Sequence, residues 1–210
     1  MIAIFFYFAP FTPPPFGFRV EEMKRTQHLA GQLLLAMPSI GDKRFESAII
    51  YLHEHNDEGA MGFVLNQQAE DITLADILES LDLPDASENG QAPVFIGGPV
   101  DTGRGFVLHD NSYKSDTTVF CPNGEIGVTA TLDVLEVISS HHPLDNAITL
   151  LGYSGWGAGQ LESELQENVW LVCPFNLDLI FTITAEKKYH AAMAMMGIDP
   201  GMLSSDQGSA

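Results

Sequence analysis

The chain has 210 residues, of which 45% are apolar and 18% charged, a composition that predicts one globular domain with its own core and excludes a disordered chain. Its 28 acidic residues outnumber the nine Lys and Arg, and the resulting net charge of −19 repels phosphate, so direct binding to DNA is not expected. The two cysteines, Cys121 and Cys173, form no Cys-x-x-Cys pair, which excludes a zinc ribbon and a thioredoxin-type site.

The N-terminus begins with an apolar stretch, residues 1–11, followed by prolines at positions 13–15. This stretch is too short to cross a bilayer, no basic residue precedes it as in a signal peptide, and the prolines prevent a helix from continuing. We therefore predict that residues 1–25 are a disordered extension and that residues 26–210 form a single domain. One hypothesis is a mis-assigned start, with translation beginning at Met23, and the alternative is a tail that touches a membrane weakly.

Eight short apolar runs rich in Val, Ile, Leu and Phe predict strands. Several of these strands are expected to be buried on both faces, because their apolar residues do not alternate with polar ones. The runs are residues 33–36, 48–52, 61–65, 94–96, 106–108, 148–151, 169–172 and 179–183.

Four stretches have the helical period, and capping residues mark the ends of several of them. They are residues 74–81 after the N-cap Thr73, 132–138 after Thr131, 160–168, and 185–196 before Gly197. In the third helix the leucines are expected to face inward, and Glu162, Glu164 and Glu167 mostly outward.

A glycine-rich run at residues 152–159 follows a predicted strand and precedes a predicted helix. A helix N-terminus can bind an anion, but the run matches neither a dinucleotide fingerprint, nor a P-loop, nor a nucleophile elbow around Ser154. We therefore favour a tight turn around a packed Trp156 over a phosphate site.

Two further segments carry side chains with chemical potential. His53 and His55 would share one face of a strand, but two ligands do not make a catalytic zinc site, so neither a metal nor a cofactor is predicted. Arg104 follows the Gly97-Gly98-Pro99 turn at the start of an apolar strand. It could clamp the carboxylate of a ligand or pair with an internal glutamate such as Glu54, and the internal pair is favoured.

Together these segments resemble the AlgH/YqgE family of bacterial proteins, over nearly the whole chain beyond residue 26. Family members often have Cys where this chain has His53. The matching segments are residues 34–38, 54–56, 59–62, 97–99, 104–109, 133–136, 151–153, 156, 159–162 and 170.

The resemblance implies an α+β fold whose mixed sheet is partly closed into a small barrel surrounded by helices. It also implies a cytoplasmic bacterial protein, and it implies no known reaction. Members are often named transcriptional regulators because of a role in alginate production. No helix-turn-helix with a basic recognition helix can be drawn in this chain, so any such role is expected to be indirect.

The main hypothesis is a non-enzymatic regulatory or binding protein that acts through a protein partner or a small ligand, without a cofactor, a catalytic residue or a membrane. The alternative is an enzyme of unknown reaction whose cleft is built from glutamate, histidine and arginine side chains. A direct DNA regulator ranks last. The candidate cleft residues are Glu54, His55, Asn56, Gly97, Gly98, Arg104, His109, Trp156, Gln160 and Glu162.

Loops at strand ends tend to gather on one rim of a sheet, where ligands bind. We therefore predict that Arg104 lies near Trp156 or residues 160–162, that it pairs with Glu54 or Glu162, and that residues 54–55 border the same depression.

Overall fold

The computed structural model describes residues 29–84, 91–141 and 144–199, and these residues form the α+β fold that the sequence predicts. The extension predicted for residues 1–25, with Met23, lies outside the described residues. The strands are β1 Leu33–Ala36, β2 Ile49–Asn56, β3 Gly59–Val64, β4 Gln68–Thr73, β5 Pro93–Ile96, β6 Val100–Asp110, β7 Val119–Phe120, β8 Ile126–Thr129, β9 Ala147–Gly157 and β10 Trp170–Cys173. The helices are α1 Leu74–Ser80, α2 Leu132–Ile138, α3 Gln160–Gln166, α4 Leu177–Phe181 and α5 Ala185–Met195, with a 3-10 helix at Lys43–Phe45.

The described strands form one mixed sheet that curls into a half-barrel, which confirms the fold that the family resemblance implies. Its hydrogen-bonded order is β10-β1-β2-β3-β9-β6-β8-β7, and β4 pairs with β5 beside this path. Strand β9 is the hub of the sheet. It pairs antiparallel with β6 along one side, while on its other side it pairs antiparallel with β3 and parallel with β5.

Strand β1 shows why the apolar runs lack alternation. Leu33 and Leu35 pack in a core cluster with residues of α4 and α5, whereas Leu34 and Ala36 pack in a second cluster with α3. A third cluster joins α1 and α2 to β5 and β6. Strands covered on both faces need apolar residues at every position, as predicted.

The prediction of a last strand at residues 179–183 is wrong, because helix α4 occupies most of this run. The Asn176 side chain accepts a hydrogen bond from the Leu179 backbone N–H at 2.8 Å, and this cap starts α4. Leu179 and Ile180 are then buried in the core cluster of α5. A five-residue apolar run fits a buried helix as well as a buried strand, because it is too short to show a period.

The other predicted helices are confirmed with small changes of boundary. Thr73 and Asp76 form a reciprocal capping box at the start of α1, as their spacing predicts. Gly197, with φ of +72°, ends the helical segment of α5. Within the described ranges, no helix is long and apolar enough to cross a membrane.

The glycine run at residues 152–159 is not a tight turn, which corrects that prediction. Strand β9 continues through the run to Gly157, and the chain reverses only at Gly159, whose φ is +72°. A Cβ on Gly152 would lie 2.7 Å from the Gly98 carbonyl oxygen. Glycine is required at position 152 because neighbouring backbone lies directly against it.

A β-bulge in β2 separates the two histidines that were expected to share a face. The register shifts between Leu52 and Glu54, so one extra residue stands in the strand at His53. His53 is 3% exposed and its ring lies near that of Phe63, in the core cluster of α4 and α5. His55 instead contacts α3. Among the described residues, no three His, Cys, Asp or Glu side chains are grouped as metal ligands.

We predict that His53 makes the protein sensitive to mild acid. Burial, with a smaller contribution from the charge of His109, lowers the pKa of His53 from 6.5 to about 4. Below pH 6.5 the imidazole of His53 is protonated in the unfolded chain but stays neutral in the folded protein until about pH 4. The free energy of unfolding therefore falls as the pH drops from 6.5 to 4. His53→Phe should remove about 3 kcal/mol of this loss, measured by urea unfolding at several pH values.

The control for this experiment is the exposed His190. Its replacement by alanine should leave the dependence of stability on pH the same as in the wild type. Some acid sensitivity should remain in His53→Phe, because burial also lowers the pKa of His109. A profile for His53→Phe that is as steep as that of the wild type would contradict the prediction.

Candidate functional site

A cleft of about 420 Å³ lies between the loop of the 3-10 helix, strand β9 and helix α3. Its position follows from the fold, because β9 runs directly into α3 and β10 then returns beneath the helix. The lining residues are Ile40, Gly41, Asp42, Arg44, Phe45, Pro99, Ser154, Gly155, Trp156, Gln160, Glu164, Glu167, Val169 and Trp170.

Glu164 is the central polar group of the cleft. Its Oε2 accepts hydrogen bonds from the indole N–H of Trp156 at 2.8 Å and from that of Trp170 at 2.6 Å. Its Oε1 accepts a third hydrogen bond from the Gln160 amide at 2.8 Å. The two indoles meet edge to face with centroids 5.8 Å apart, so the carboxylate and its donors form one fixed unit.

The rim of the cleft carries opposite charges. Asp42 and Arg44 form an exposed ion pair at 2.6 Å, and the hydrogen bond from Arg44 lowers the pKa of the Asp42 carboxyl. Glu167 is exposed on the rim, and no ion pair among the described side chains includes Glu164 or Glu167. The acids therefore outnumber the single arginine of the lining, and the cleft has a net negative charge.

His55 and Glu162 meet on another side of α3. The Leu29 backbone N–H donates to His55 Nδ1 at 3.1 Å, and a backbone N–H can only donate, so Nδ1 must be unprotonated. The proton is then on Nε2, which donates to Glu162 Oε1 at 2.8 Å. The His55 side chain is 2% exposed. Both ring nitrogens are engaged within the protein, so His55 fixes α3 to β2 and has no nitrogen left for a substrate.

The sequence profile described as AlgH-like matches residues 33–201 of this chain. The chain belongs to the AlgH-like family. The UPF0301 protein of Methylocella silvestris is 46% identical over 189 residues, covering 87% of this chain and 92% of that protein. The UPF0301 protein of Rhodospirillum rubrum is 45% identical over 187 residues, covering 89% and 97%.

A solved structure supports the same relationship. The solution structure of the AlgH protein from Pseudomonas aeruginosa matches with a TM-score of 0.71 at 37% identity, over 90% of this chain and 100% of that one. A crystal structure of a Corynebacterium diphtheriae protein matches with a TM-score of 0.62 at 18% identity, over 82% of this chain and 90% of that one. The latter shows the shared fold alone. The family resemblance inferred from the sequence is therefore confirmed.

The AlgH-like segment Gly97-Gly98-Pro99 lies at the junction of β3, β5, β6 and β9. Gly97 accepts a hydrogen bond from the Val64 backbone N–H at 2.8 Å and another from the Ser154 hydroxyl at 3.2 Å. A Cβ on Gly98 would lie 2.3 Å from the Tyr153 backbone. These two glycines are needed for the close approach of strands, and the segment reaches the cleft only through Pro99.

Arg104 does not pair with Glu54 or Glu162, which corrects that prediction. Its described ion pair is to Asp101, with Nη1 and Oδ2 4.0 Å apart. Its guanidinium lies 5.5 Å from the centroid of the Phe106 ring, and it does not line the cleft of Trp156. The reason is an irregularity in β6. The register against β9 shifts between positions 100 and 105, so Arg104 lies in the irregular stretch, and two of its contacts, Asp101 and Phe106, are on its own strand.

His109 is completely buried in a polar network of the AlgH-like core. Its Nδ1 donates to the Asp110 carbonyl at 2.8 Å, so its Nε2 accepts from the Thr129 hydroxyl at 2.9 Å. Thr118 donates to the Thr129 oxygen in turn. Burial lowers the pKa of His109, which favours the neutral ring that this network requires. His109 therefore has a structural role.

The remaining candidates lie on the β2–β3 hairpin. Glu54 is half-buried, which raises the pKa of its carboxyl. Asn56 accepts a hydrogen bond from the Glu58 backbone N–H at 2.8 Å and so shapes the hairpin turn. Of the ten candidates, only Trp156 and Gln160 line the cleft, and His55 contacts Glu162 beside α3.

The sequence reasoning missed the residue at the centre of the cleft. Glu164 was expected to face outward, and that expectation is wrong because both indoles bind it. A signal was present in the sequence. The chain has only two tryptophans, Trp156 predicted to be packed and Trp170 in a predicted apolar strand, and a buried indole N–H requires an acceptor. Glu164 is an acidic residue that lies between the two tryptophans in the sequence, one helical turn after Gln160.

Proposed function

We propose that the protein is a non-enzymatic, regulatory binding protein of the cytosol, and that its cleft receives a basic side chain of a protein partner on Glu164. The observation that carries the proposal is the fixed carboxylate between Trp156 and Trp170. It is oriented by three neutral donors and has no described basic partner.

The geometry leaves room for one more donor. A carboxylate has about four acceptor positions, and three of those on Glu164 are used. A guanidinium or ammonium group could fill the fourth position and neutralise the charge. The net charge of −19 would attract a basic partner over a distance and repel an acidic one.

The enzyme hypothesis has less support. It requires Glu54, His55, Arg104, His109 and Glu162 to converge, and their described contacts join only His55 to Glu162. The ring nitrogens of both histidines are engaged within the protein. The acidic cleft likewise offers no support for a direct DNA regulator.

The two tryptophans provide a direct test, because both line the cleft and the chain has no others. The purified protein is titrated with the peptide acetyl-Gly-Arg-Gly-amide while tryptophan fluorescence and the two indole N–H signals in NMR are recorded. The same peptide with neutral citrulline in place of arginine is the ligand control. We expect the arginine peptide to shift both signals and the citrulline peptide to have little effect.

Two variants locate the interaction. Glu164→Gln keeps an oxygen that can accept from the indoles but loses the charge, so it should lose the preference for arginine. Glu167→Gln removes a charge from the rim and should keep most of that preference. Equal responses to arginine and citrulline in the wild type, or an unchanged preference in Glu164→Gln, would contradict the proposal.

A further inference from the structure

A second and larger cavity, of about 660 Å³, lies at the end of the sheet where β5 and β9 begin. It shares no lining residue with the cleft of Glu164. Pockets for small ligands typically measure roughly 300–1,000 Å³, so this volume suits a small molecule. The segment that joins α4 to α5 forms one wall of the cavity, and residues of α1, α2 and β4 form other parts of the lining. The lining combines polar and apolar side chains, and its large apolar residues are Leu74, Phe95, Ile138, Leu144, Ile148, Ile180, Phe181 and Ile183.

Lys188 lines this cavity and is only 3% exposed. Its ammonium donates to the Leu179 backbone carbonyl at 2.9 Å and to the Ile180 carbonyl, at the end of α4. No ion pair within the described ranges includes Lys188. An ammonium has three protons, so one remains available. A buried cation with only neutral partners is costly, and an anion in the cavity would compensate its charge.

Thr149 is a second buried polar group in the same lining. Its side chain is on β9 and is 6% exposed. Its hydroxyl forms no hydrogen bond with a described residue, and it is not one of the fully enclosed polar atoms, so it is free to bind a group that enters the cavity. A ligand oxygen in the cavity could accept a hydrogen bond from it. The lysine and the threonine belong to different elements, so they offer two separate donors to one bound group.

The charges around the opening limit what kind of anion fits. Asp145 and Glu186 also line the cavity, and both are exposed to solvent. These carboxylates would repel a ligand with several negative charges. A single negative charge, placed on the buried ammonium with an apolar body against the surrounding side chains, matches the lining best.

We propose that this cavity binds a small amphipathic monoanion, such as a medium-chain carboxylate, with its charged group on Lys188 and Thr149. The burial of Lys188, which lowers the pKa of its ammonium to about 8, is in accord with a site that lacks its counter-ion. The site is independent of the cleft of Glu164, and its test does not depend on the function proposed for that cleft.

The test compares octanoate with octanol, which has the same chain and no charge, by isothermal titration calorimetry of the full chain at pH 7. We expect octanoate to bind roughly tenfold more tightly or better, since hydrogen bonds to a charged group are stronger than neutral ones. In NMR spectra with labelled isoleucine methyl groups, octanoate should shift the signals of Ile138, Ile148, Ile180 and Ile183. It should leave that of Ile40, in the other cleft, unchanged.

Adjacent lysines provide a matched pair of variants. Lys188→Met keeps the length of the side chain and removes its charge, so the preference for octanoate over octanol should be lost. Lys187→Met changes an exposed lysine that does not line the cavity, and the preference should remain. Thr149→Val should weaken octanoate binding severalfold and change octanol binding little.

Several outcomes would overturn the proposal. They are octanoate binding no more tightly than octanol, methyl shifts away from the cavity, and a preference that survives in Lys188→Met. If Lys188→Met does not fold, the comparison of the two ligands and the methyl shifts in the wild type decide the question. If Lys188→Met is folded and neither protein binds octanoate, Lys188 serves only to hold the end of α4.

Discussion

Replacing Gly98 with alanine should destabilise the protein by about 4 kcal/mol or more, a large part of the total stability of a typical domain. A Cβ at this position would lie 2.3 Å from both the carbonyl carbon and the carbonyl oxygen of Tyr153, and 2.4 Å from the Ser154 nitrogen. All three atoms are backbone in the hub strand β9, so no change of rotamer relieves the overlap. Urea unfolding followed by circular dichroism would measure the loss, and failure to obtain soluble protein would be its extreme form.

Gly155 provides the matched control in the facing strand. A Cβ there would meet only side-chain atoms, the Tyr153 ring at 3.4 Å and Val100 Cγ2 at 4.0 Å, which are ordinary contacts. Gly155→Ala should therefore stay within about 0.5 kcal/mol of the wild type. A Gly98→Ala protein as stable as Gly155→Ala would show that the strands around β9 can separate, and that the close approach at this junction is not required.

Replacing Glu164 with alanine should destabilise the protein by roughly 2–4 kcal/mol, because it leaves two indole N–H groups without an acceptor. Trp156 and Trp170 are only 7% and 4% exposed, so water has poor access to either donor. Thermal unfolding monitored by tryptophan fluorescence would report the loss, and the emission should change because both indoles lose their partner.

Glu167 is the control for this second change. It lies on the same helix end, is exposed, and accepts one long hydrogen bond from Ser163 at 3.3 Å. Glu167→Ala should change stability by less than about 0.5 kcal/mol. Glu164→Gln should fall between the two alanine variants, since its amide oxygen can still accept from the indoles. Equal stability of the two alanine variants would mean that Glu164 does not hold the tryptophans together.

The sequence predicts much of this fold because burial leaves a direct trace in residue choice. Strands such as β1 and β9 are covered on both faces, so their apolar runs are continuous and easily recognised. Strand β4, Gln68–Thr73, was not predicted, because its residues are mostly polar and half exposed, and it is recognised as a strand only through pairing with β5. Helix α4 was mistaken for a strand because a single cap, Asn176, decides its conformation.

The site was harder to predict because it depends on local irregularities. The bulge at His53 sends the two histidines to opposite faces, and the shift in β6 moves Arg104 away from the cleft. Neither irregularity has a signature in the sequence, since a bulge changes the direction of side chains without requiring a special residue. The role of Glu164 could be inferred only by asking which group accepts the two indole hydrogen bonds.

The position of β9 in the sheet also determines the order in which the protein can assemble. Strands β1 to β3 come early in the chain, but the strands that flank them in the sheet come late. Strand β3 pairs with β9, and β1 pairs with β10, where Leu33 lies opposite Cys173. Pairings so distant in sequence carry a high entropic cost of loop closure and make folding slow. On the ribosome, the edges of the first three strands remain exposed until nearly the whole domain has been synthesised, so folding is completed only after the C-terminal strands emerge.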